Sequence, residues 1–127
     1  MDYNVLLKKA EDASQNAYAK YSNFKVGACV LADSGKTYTG CNIENASYGL
    51  TVCAERNAIA NAIANGEKSI LAIAIYSPNT QDCTPCGACR QVIFEFQQDK
   101  EIEIITQVDD SFNIYKISEL LPKGFKL

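Results

Sequence analysis

The sequence predicts an α/β sandwich built on a mixed sheet of five strands. Helices and strands alternate along the chain in the order α-β-β-α-β-α-β-β, the pattern of layered α/β folds. The run 70–76 (Ile-Leu-Ala-Ile-Ala-Ile-Tyr) is continuously apolar over a strand's length, as expected of a strand buried on both faces. With 127 residues, 47% apolar and 21% charged, the chain has the composition of an ordinary globule, and residues 1–127 are expected to form one domain.

Residues 2–20 place Val5, Leu6, Ala10, Ala13, Ala17 and Tyr18 roughly on one helical stripe, with Asp2 as N-cap. Residues 24–32 and 36–40 are expected as paired strands, because Ala32-Asp33-Ser34-Gly35 between them has hairpin-turn composition. Residues 41–51 lack a clear period and suggest a polar loop. A second helix is expected over 51–65, with Thr51 as N-cap, Glu55 in the first turn and Gly66 just past its end. After the buried strand, 77–85 is a loop and 86–98 a third helix with Val92, Ile93 and Phe96 inward. Residues 101–107 alternate as a strand, 111–117 suggest another, and 118–121 form a short helical turn stopped by Pro122.

Composition also narrows the partners. The net charge is −3, and lysines and arginines are scattered, so a nucleic-acid polymer is a poor fit and a small neutral ligand a better one. No stretch approaches the ~18 consecutive apolar residues of a membrane helix. Residues 1–20 contain no apolar core of the kind a secretory leader needs. The six cysteines are therefore expected reduced and in the cytoplasm.

Those cysteines carry the chemistry. Cys53-Ala54-Glu55-Arg56 is followed thirty residues later by Pro85-Cys86-Gly87-Ala88-Cys89, in a chain with no histidine. Without imidazole, a borderline metal must be bound through thiolates, and zinc is the default candidate. Three thiolates leave the fourth tetrahedral position open, as in catalytic rather than structural zinc sites. Glu55 is close enough in sequence to carry protons for a water there. Cys53 and Cys86 fall at predicted helix N-termini, where amide dipoles favour thiolate. Cys53 and Glu55, two residues apart, would diverge in mid-helix, so the metal must sit beyond the helix end. Arg56, one turn from Cys53, is expected to withdraw excess negative charge from the thiolates rather than touch substrate. Cys86-x-x-Cys89 alone would suit a redox pair or a structural knuckle equally well; Cys53-x-Glu55 and Pro85 shift the balance toward catalysis. Cys29 and Cys41 are expected to pack.

A first ligand and a glutamate separated by one residue, then Pro-Cys-x-x-Cys, is the signature of the zinc deaminases. More specifically, the chain resembles the short homotetrameric cytidine deaminases that act on free nucleosides. The resemblance runs through Tyr21-Ser22-Asn23-Phe24-Lys25-Val26-Gly27-Ala28, Gly40-Cys41-Asn42-Ile43-Glu44-Asn45-Ala46-Ser47-Tyr48, Cys53-Ala54-Glu55-Arg56-Asn57-Ala58-Ile59, Pro85-Cys86-Gly87-Ala88-Cys89-Arg90-Gln91-Val92 and Leu120-Leu121-Pro122. It implies a three-layer α/β/α sandwich and hydrolytic deamination of cytidine and 2′-deoxycytidine in pyrimidine salvage. It also implies one zinc per subunit, held by Cys53, Cys86 and Cys89. Glu55 would take the water proton, deliver it to the pyrimidine N3 and later help protonate the departing amine. The Ala54 N–H would reach the base O2, and the Thr84 carbonyl would accept from the exocyclic amine. Asn42 and Glu44 would bind the ribose 3′-OH, and Phe24 would pack against base or sugar. Phe125 and Tyr48 would reach into a neighbouring subunit's site, completing it across the tetramer. Cys83 is implied to lie outside the site. Two alternatives remain open: a zinc deaminase for another aminopyrimidine nucleoside, and a non-catalytic zinc module with Cys83 as fourth ligand.

Overall fold

The computed structural model describes residues 2–127. Asp2 caps α1 (Tyr3–Ser14), its Oδ1 accepting the Asn4 N–H at 2.9 Å, and Leu6, Leu7 and Ala10 face the sheet. The helix stops six residues short of the predicted end. Ser14 Oγ turns back to the Glu11 carbonyl at 2.6 Å, and Tyr18 joins the segment around Ile43 through its N–H to the Asn42 carbonyl. Tertiary pairing thus overrides the helical stripe over 15–20.

Strands β1 (Gly27–Ala32) and β2 (Thr37–Cys41) form the expected hairpin, with Gly35 at φ +90° in its turn. β1 starts three residues later than predicted because Asn42 occupies the backbone ahead of it. Its Oδ1 accepts from Val26 N–H and its Nδ2 donates to the Phe24 carbonyl, both at 2.8 Å. The segment 42–53 is a loop with a single 3₁₀ turn over Tyr48–Leu50. Helix α2 (Ala54–Ala64) follows, capped by Cys53 rather than by Thr51. It ends in a Schellman motif at Gly66 (φ +94°), with Gly66 N–H on the Ile63 carbonyl and Glu67 N–H on the Ala62 carbonyl.

The strand β3 (Ile70–Tyr76) has the predicted bounds. Helix α3 (Gly87–Glu95) is capped by Cys86 and ends before Gln98, because the Phe96 carbonyl accepts the Ile70 N–H that opens β3. Val92 and Phe96 pack partly buried around the fully buried Ile93. Strand β4 (Glu103–Val108) begins two residues late, the Ile102 amide being taken by Gln97 Oε1 at 2.9 Å. β5 (Ser111–Lys116) and the short α4 (Ile117–Leu120) close the chain's order, the latter started by Lys116 N–H on Glu119 Oε1.

The sheet runs β2-β1-β3-β4-β5. β3 and β4 are parallel, joined by the crossover helix α3, and the other neighbours are antiparallel. Alternation along β3 explains its apolar run: Ile73 and Ile75 face one core with Ile59, Ile93 and Ile104, while Ala72 and Ala74 face another with Leu6, Leu7 and Leu31. The first core lies under α2 and α3, the second under α1, giving a three-layer α/β/α sandwich around a mixed sheet. Cys29 is fully buried in the second core. Two glycines permit the close layering. A Cβ on Gly27 would lie 1.9 Å from the Ala10 carbonyl oxygen, and one on Gly40 would lie 2.4 Å from the Ala58 nitrogen.

Candidate active site

The N-termini of α2 and α3 meet at one place, each with a cysteine as its cap. Cys53 (φ −70°, ψ 156°) and Cys86 (φ −65°, ψ 168°) are extended residues that precede their helices, and neither thiol caps its own helix by a hydrogen bond. Their sulfurs are therefore free to turn outward. Cys86 Sγ lies 4.0 Å from Cys53 Sγ and 3.4 Å from Cys89 Sγ, with all three within 4.8 Å of one another. Tetrahedral zinc at ~2.3 Å from each sulfur would hold thiolates about 3.8 Å apart, so the cluster fits that ion. Since Cys53 stands outside the helix, the difficulty of bringing residues 53 and 55 to one point disappears.

Electrostatics leads to the same conclusion. Cys53 is pulled down to about 5, chiefly by a hydrogen bond from the Cys89 thiol and also by Arg56 and Cys86. Cys89 moves the opposite way, held up by the Cys53 thiolate beside it and by burial. Without a cation the cluster readily carries one negative charge and resists a second. A divalent ion would remove that resistance. Arg56 Nη2 approaches Cys53 Sγ at 3.5 Å and the Thr51 carbonyl at 3.4 Å, while its buried Nε has no partner among the described residues.

Glu55 is the second residue of α2 and is 5% exposed. Burial, helped by the negative charge on Cys53, holds its carboxyl up at about 7, against the pull of its own backbone N–H and of Arg56. A carboxyl poised there can both take and give a proton near neutrality. Ala54, the first helical residue, is buried beside it, and an amide at that position has no intrahelical acceptor. Thr84 stands two residues before Cys86 in the loop that delivers the second cap.

A second group gathers around residues 42–44, where Ile43 bridges Val52, the residue before Cys53. Asn42 is buried and bonds Phe24 and Val26 as described above. Glu44 Oε1 accepts from the Tyr21 and Ser22 amides at 2.9 and 3.1 Å, and its Oε2 accepts from Ser22 Oγ. The Ser22 hydroxyl holds the Glu44 carboxyl below its usual range. Ser22 Oγ also accepts the Phe24 N–H at 3.0 Å, so Phe24, Asn42 and Glu44 are locked into one network. Asn57, on α2, ties this segment to the helix through Nδ2 on the Cys41 carbonyl at 2.8 Å. Glu44 opens on a cleft of about 370 Å³ lined also by Tyr21, Asn45, Tyr48 and Thr51.

Tyr48 is 77% exposed and meets Tyr21 edge-on at 6.2 Å. Phe125 is 68% exposed, its carbonyl held by Gln91 Nε2 at 3.2 Å. Neither is brought onto the thiol cluster of its own chain by a hydrogen bond or ring contact among the described residues. Cys83 packs against the first core, and burial pushes its thiol up to about 11. It stands apart from the three-sulfur cluster. Several supporting residues had no signal in the sequence. Ser22 presents a hydroxyl to Glu44 from twenty-two residues away, and Arg90 binds the Pro85 and Leu120 carbonyls. Arg90 lies in a quoted motif, but no spacing rule gives it a task.

Comparison with known proteins agrees over almost the whole chain. Residues 2–106 match the family described as the cytidine and deoxycytidylate deaminase zinc-binding region. The chain is 40% identical over 125 residues to a cytidine deaminase of Sporosarcina psychrophila, spanning 98% of this chain and 92% of that one. It is 42% identical to a cytidine deaminase of Halalkalibacterium halodurans, over 98% and 95% of the two chains. Its fold matches a cytidine deaminase crystal structure from Burkholderia pseudomallei with a TM-score of 0.90 and 41% identity, covering 98% of this chain and 100% of that one. The crystal structure of cytidine deaminase from Mycobacterium tuberculosis gives 0.87 and 38%, over 100% and 99%.

Proposed function

This chain belongs to the cytidine and deoxycytidylate deaminase family, and we propose that residues 1–127 form one domain that hydrolyses cytidine and 2′-deoxycytidine to uridine and 2′-deoxyuridine, releasing ammonia. The observation that carries this reading is the convergence of three thiols within 4.8 Å beside the buried carboxyl of Glu55.

Cys53, Cys86 and Cys89 hold one zinc ion, which when bound supplies the Lewis acidity that makes water nucleophilic at neutral pH. Glu55 takes a proton from the attacking water on a carboxylate oxygen and gives it to the pyrimidine N3. As the C4–N bond breaks, the now unprotonated Glu55 takes the second proton from the C4 hydroxyl, so that C4=O forms, and passes it to the amine, which leaves as ammonia. The Ala54 N–H orients the base through O2, and the Thr84 carbonyl accepts from the amine that departs. Arg56 spreads the negative charge of the thiolates through its contact with Cys53.

Asn42 and Glu44 bind the ribose 3′-OH with the hydrogen-bonding capacity their internal contacts leave over. Phe24, fixed by the same network, packs against base or sugar. The exposure of Tyr48 and Phe125 supports a homotetramer in which each reaches a neighbour's nucleoside. The −3 charge favours a free nucleoside over a nucleic-acid polymer. No helix among the described residues is long and apolar enough to cross a membrane, and reduced thiols suit the cytoplasm.

The test is loss of cytidine absorbance in parallel with a zinc assay. Uridine formation with about one zinc per chain, abolished in Glu55→Gln, supports the reading. Zinc without turnover on cytidine or deoxycytidine would redirect it to other aminopyrimidine nucleosides.

A further inference from the structure

The loop 77–85 has no regular secondary structure, yet it must deliver Cys86 to within a few tenths of an ångström. We infer that Asp82 is the positioning residue for this loop, acting through a clamp made by Thr106 and Tyr115 on the sheet.

Asp82 lies at φ +50°, in the left-handed region that aspartate tolerates better than most residues. Its N–H donates to the Gln107 carbonyl at 2.8 Å. Its Oδ1 accepts from Thr106 Oγ1 at 2.7 Å, and the Tyr115 hydroxyl reaches both carboxylate oxygens at 3.0 and 2.9 Å. Thr106 is on β4 and Tyr115 on the paired β5, so the carboxylate is fixed to two adjacent strands. Thr106 is fully buried, with Ile104 and Ile105 just before it on β4. A hydroxyl at such a position needs an acceptor, and the half-buried Asp82 supplies one.

The loop has a second fixed point. The Pro85 carbonyl accepts from Arg90 Nε at 2.7 Å, and Arg90 Nη1 donates to the Leu120 carbonyl at 2.9 Å. Between the two anchors lie Cys83, packed on the core, and Thr84; immediately beyond lies Cys86. Hydrogen bonds to an ionised acceptor are the stronger kind. The Arg90 bond to Pro85, with its ionised donor, is of that kind as well, but of the two anchors only Asp82 is tied to the sheet, so it is through Asp82 that the sheet's rigidity is passed to Cys86 and to the Thr84 carbonyl.

This inference rests on the assignment of Cys86 as a zinc ligand. Its test compares wild-type holoenzyme with Asp82→Ala, Asp82→Asn, Tyr115→Phe and Glu67→Ala. Glu67 is a matched control, a carboxylate held by Ser34 and Tyr38 hydroxyls at the β1–β2 hairpin. The readouts are the rate of zinc transfer to a chromogenic chelator, KM and kcat for cytidine taken separately, and Tm. Outer residues that orient ligands typically change metal affinity about 10-fold or more. Asp82→Ala is expected to speed zinc release and lower kcat/KM by about that factor. Asp82→Asn, which keeps one acceptor oxygen, recovers part of the loss, and Tyr115→Phe falls between. Glu67→Ala is expected to lower Tm without changing zinc release. Zinc release at the wild-type rate in Asp82→Ala overturns the inference, as does release that simply tracks Tm across all four variants. If Asp82→Ala does not fold, Asp82→Asn and Tyr115→Phe carry the same comparison. Wild-type protein that holds no zinc would overturn the metal assignment itself, a result distinct from unchanged release in the variants.

Discussion

Arg56 Nη2 lies 3.5 Å from Cys53 Sγ, one helical turn along from the residue that caps α2. The same guanidinium also reaches the Thr51 carbonyl at 3.4 Å, and its buried Nε has no acceptor among the described residues. Replacing Arg56 by Ala is expected to weaken zinc binding about 10-fold or more, because the Cys53 thiolate loses its nearest cation. Arg56→Lys should recover only part, since an ammonium cannot reproduce the planar fork. Chelator competition followed by zinc-release spectroscopy would show both, and equal affinity in all three proteins would count against the charge-withdrawing role.

Glu55→Gln removes the proton carrier while keeping the volume of a 5% exposed side chain. Turnover is expected to fall by about 10²–10⁴-fold, the usual scale for a positioned acid–base group. Zinc content should stay at the wild-type level. Single-turnover rates and metal analysis on one preparation separate these, and near wild-type turnover would remove Glu55 from the mechanism.

The same carboxyl links stability to pH in zinc-free protein. Its folded pKa of about 7 lies above the ordinary 4.5, so the native state binds the proton more tightly than the unfolded chain. The resulting stabilisation is fully present below about pH 4.5 and is lost as pH rises through about 7. Urea midpoints of zinc-free wild type and Glu55→Gln across this range isolate the effect. Wild-type stability should decline relative to the variant by up to about 3 kcal/mol. A pH-independent difference would show that the carboxyl titrates alike in both states.

Gly40→Ala should be costly, because the added Cβ meets the Ala58 nitrogen at 2.4 Å and the Ala54 carbonyl at 2.8 Å. Both partners are backbone, so α2 must move off β2, at a cost of about 1–3 kcal/mol or more. Since α2 carries Glu55, activity should fall along with Tm. Gly49→Ala is the contrasting substitution, with open space around it, and should leave Tm nearly unchanged.

Much of this protein was legible in its sequence wherever a residue's task is local. The run 70–76 suggests a strand buried on both faces, and its bounds are the observed ones. Asp2 and Gly66 mark helix ends by chemistry that depends on a few neighbouring residues. The spacing of Cys53, Glu55, Cys86 and Cys89 indicated a metal cluster, and the three sulfurs do meet. Boundaries went wrong where a distant group intervenes. Asn42 takes the backbone that would have lengthened β1, Gln97 does the same ahead of β4, and the segment at Ile43 draws Tyr18 out of α1. Thr51 looked like a cap by residue type, but the helix starts after Cys53, whose sulfur is turned to the other thiols. The Asp82 clamp was invisible for the same reason: its partners lie twenty-four and thirty-three residues away.

Cys53 and Cys86 bracket β3, the strand on which both cores rest. In the native fold their sulfurs meet because α2 packs on the sheet, β3 lies between β1 and β4, and α3 begins beside the start of α2. The thirty-three-residue ring that a shared ion would close is thus laid down by the sheet in advance. Its closure entropy has already been spent on strand pairing. An ion held by the three thiolates would therefore meet a ring already closed by the native sheet rather than close it.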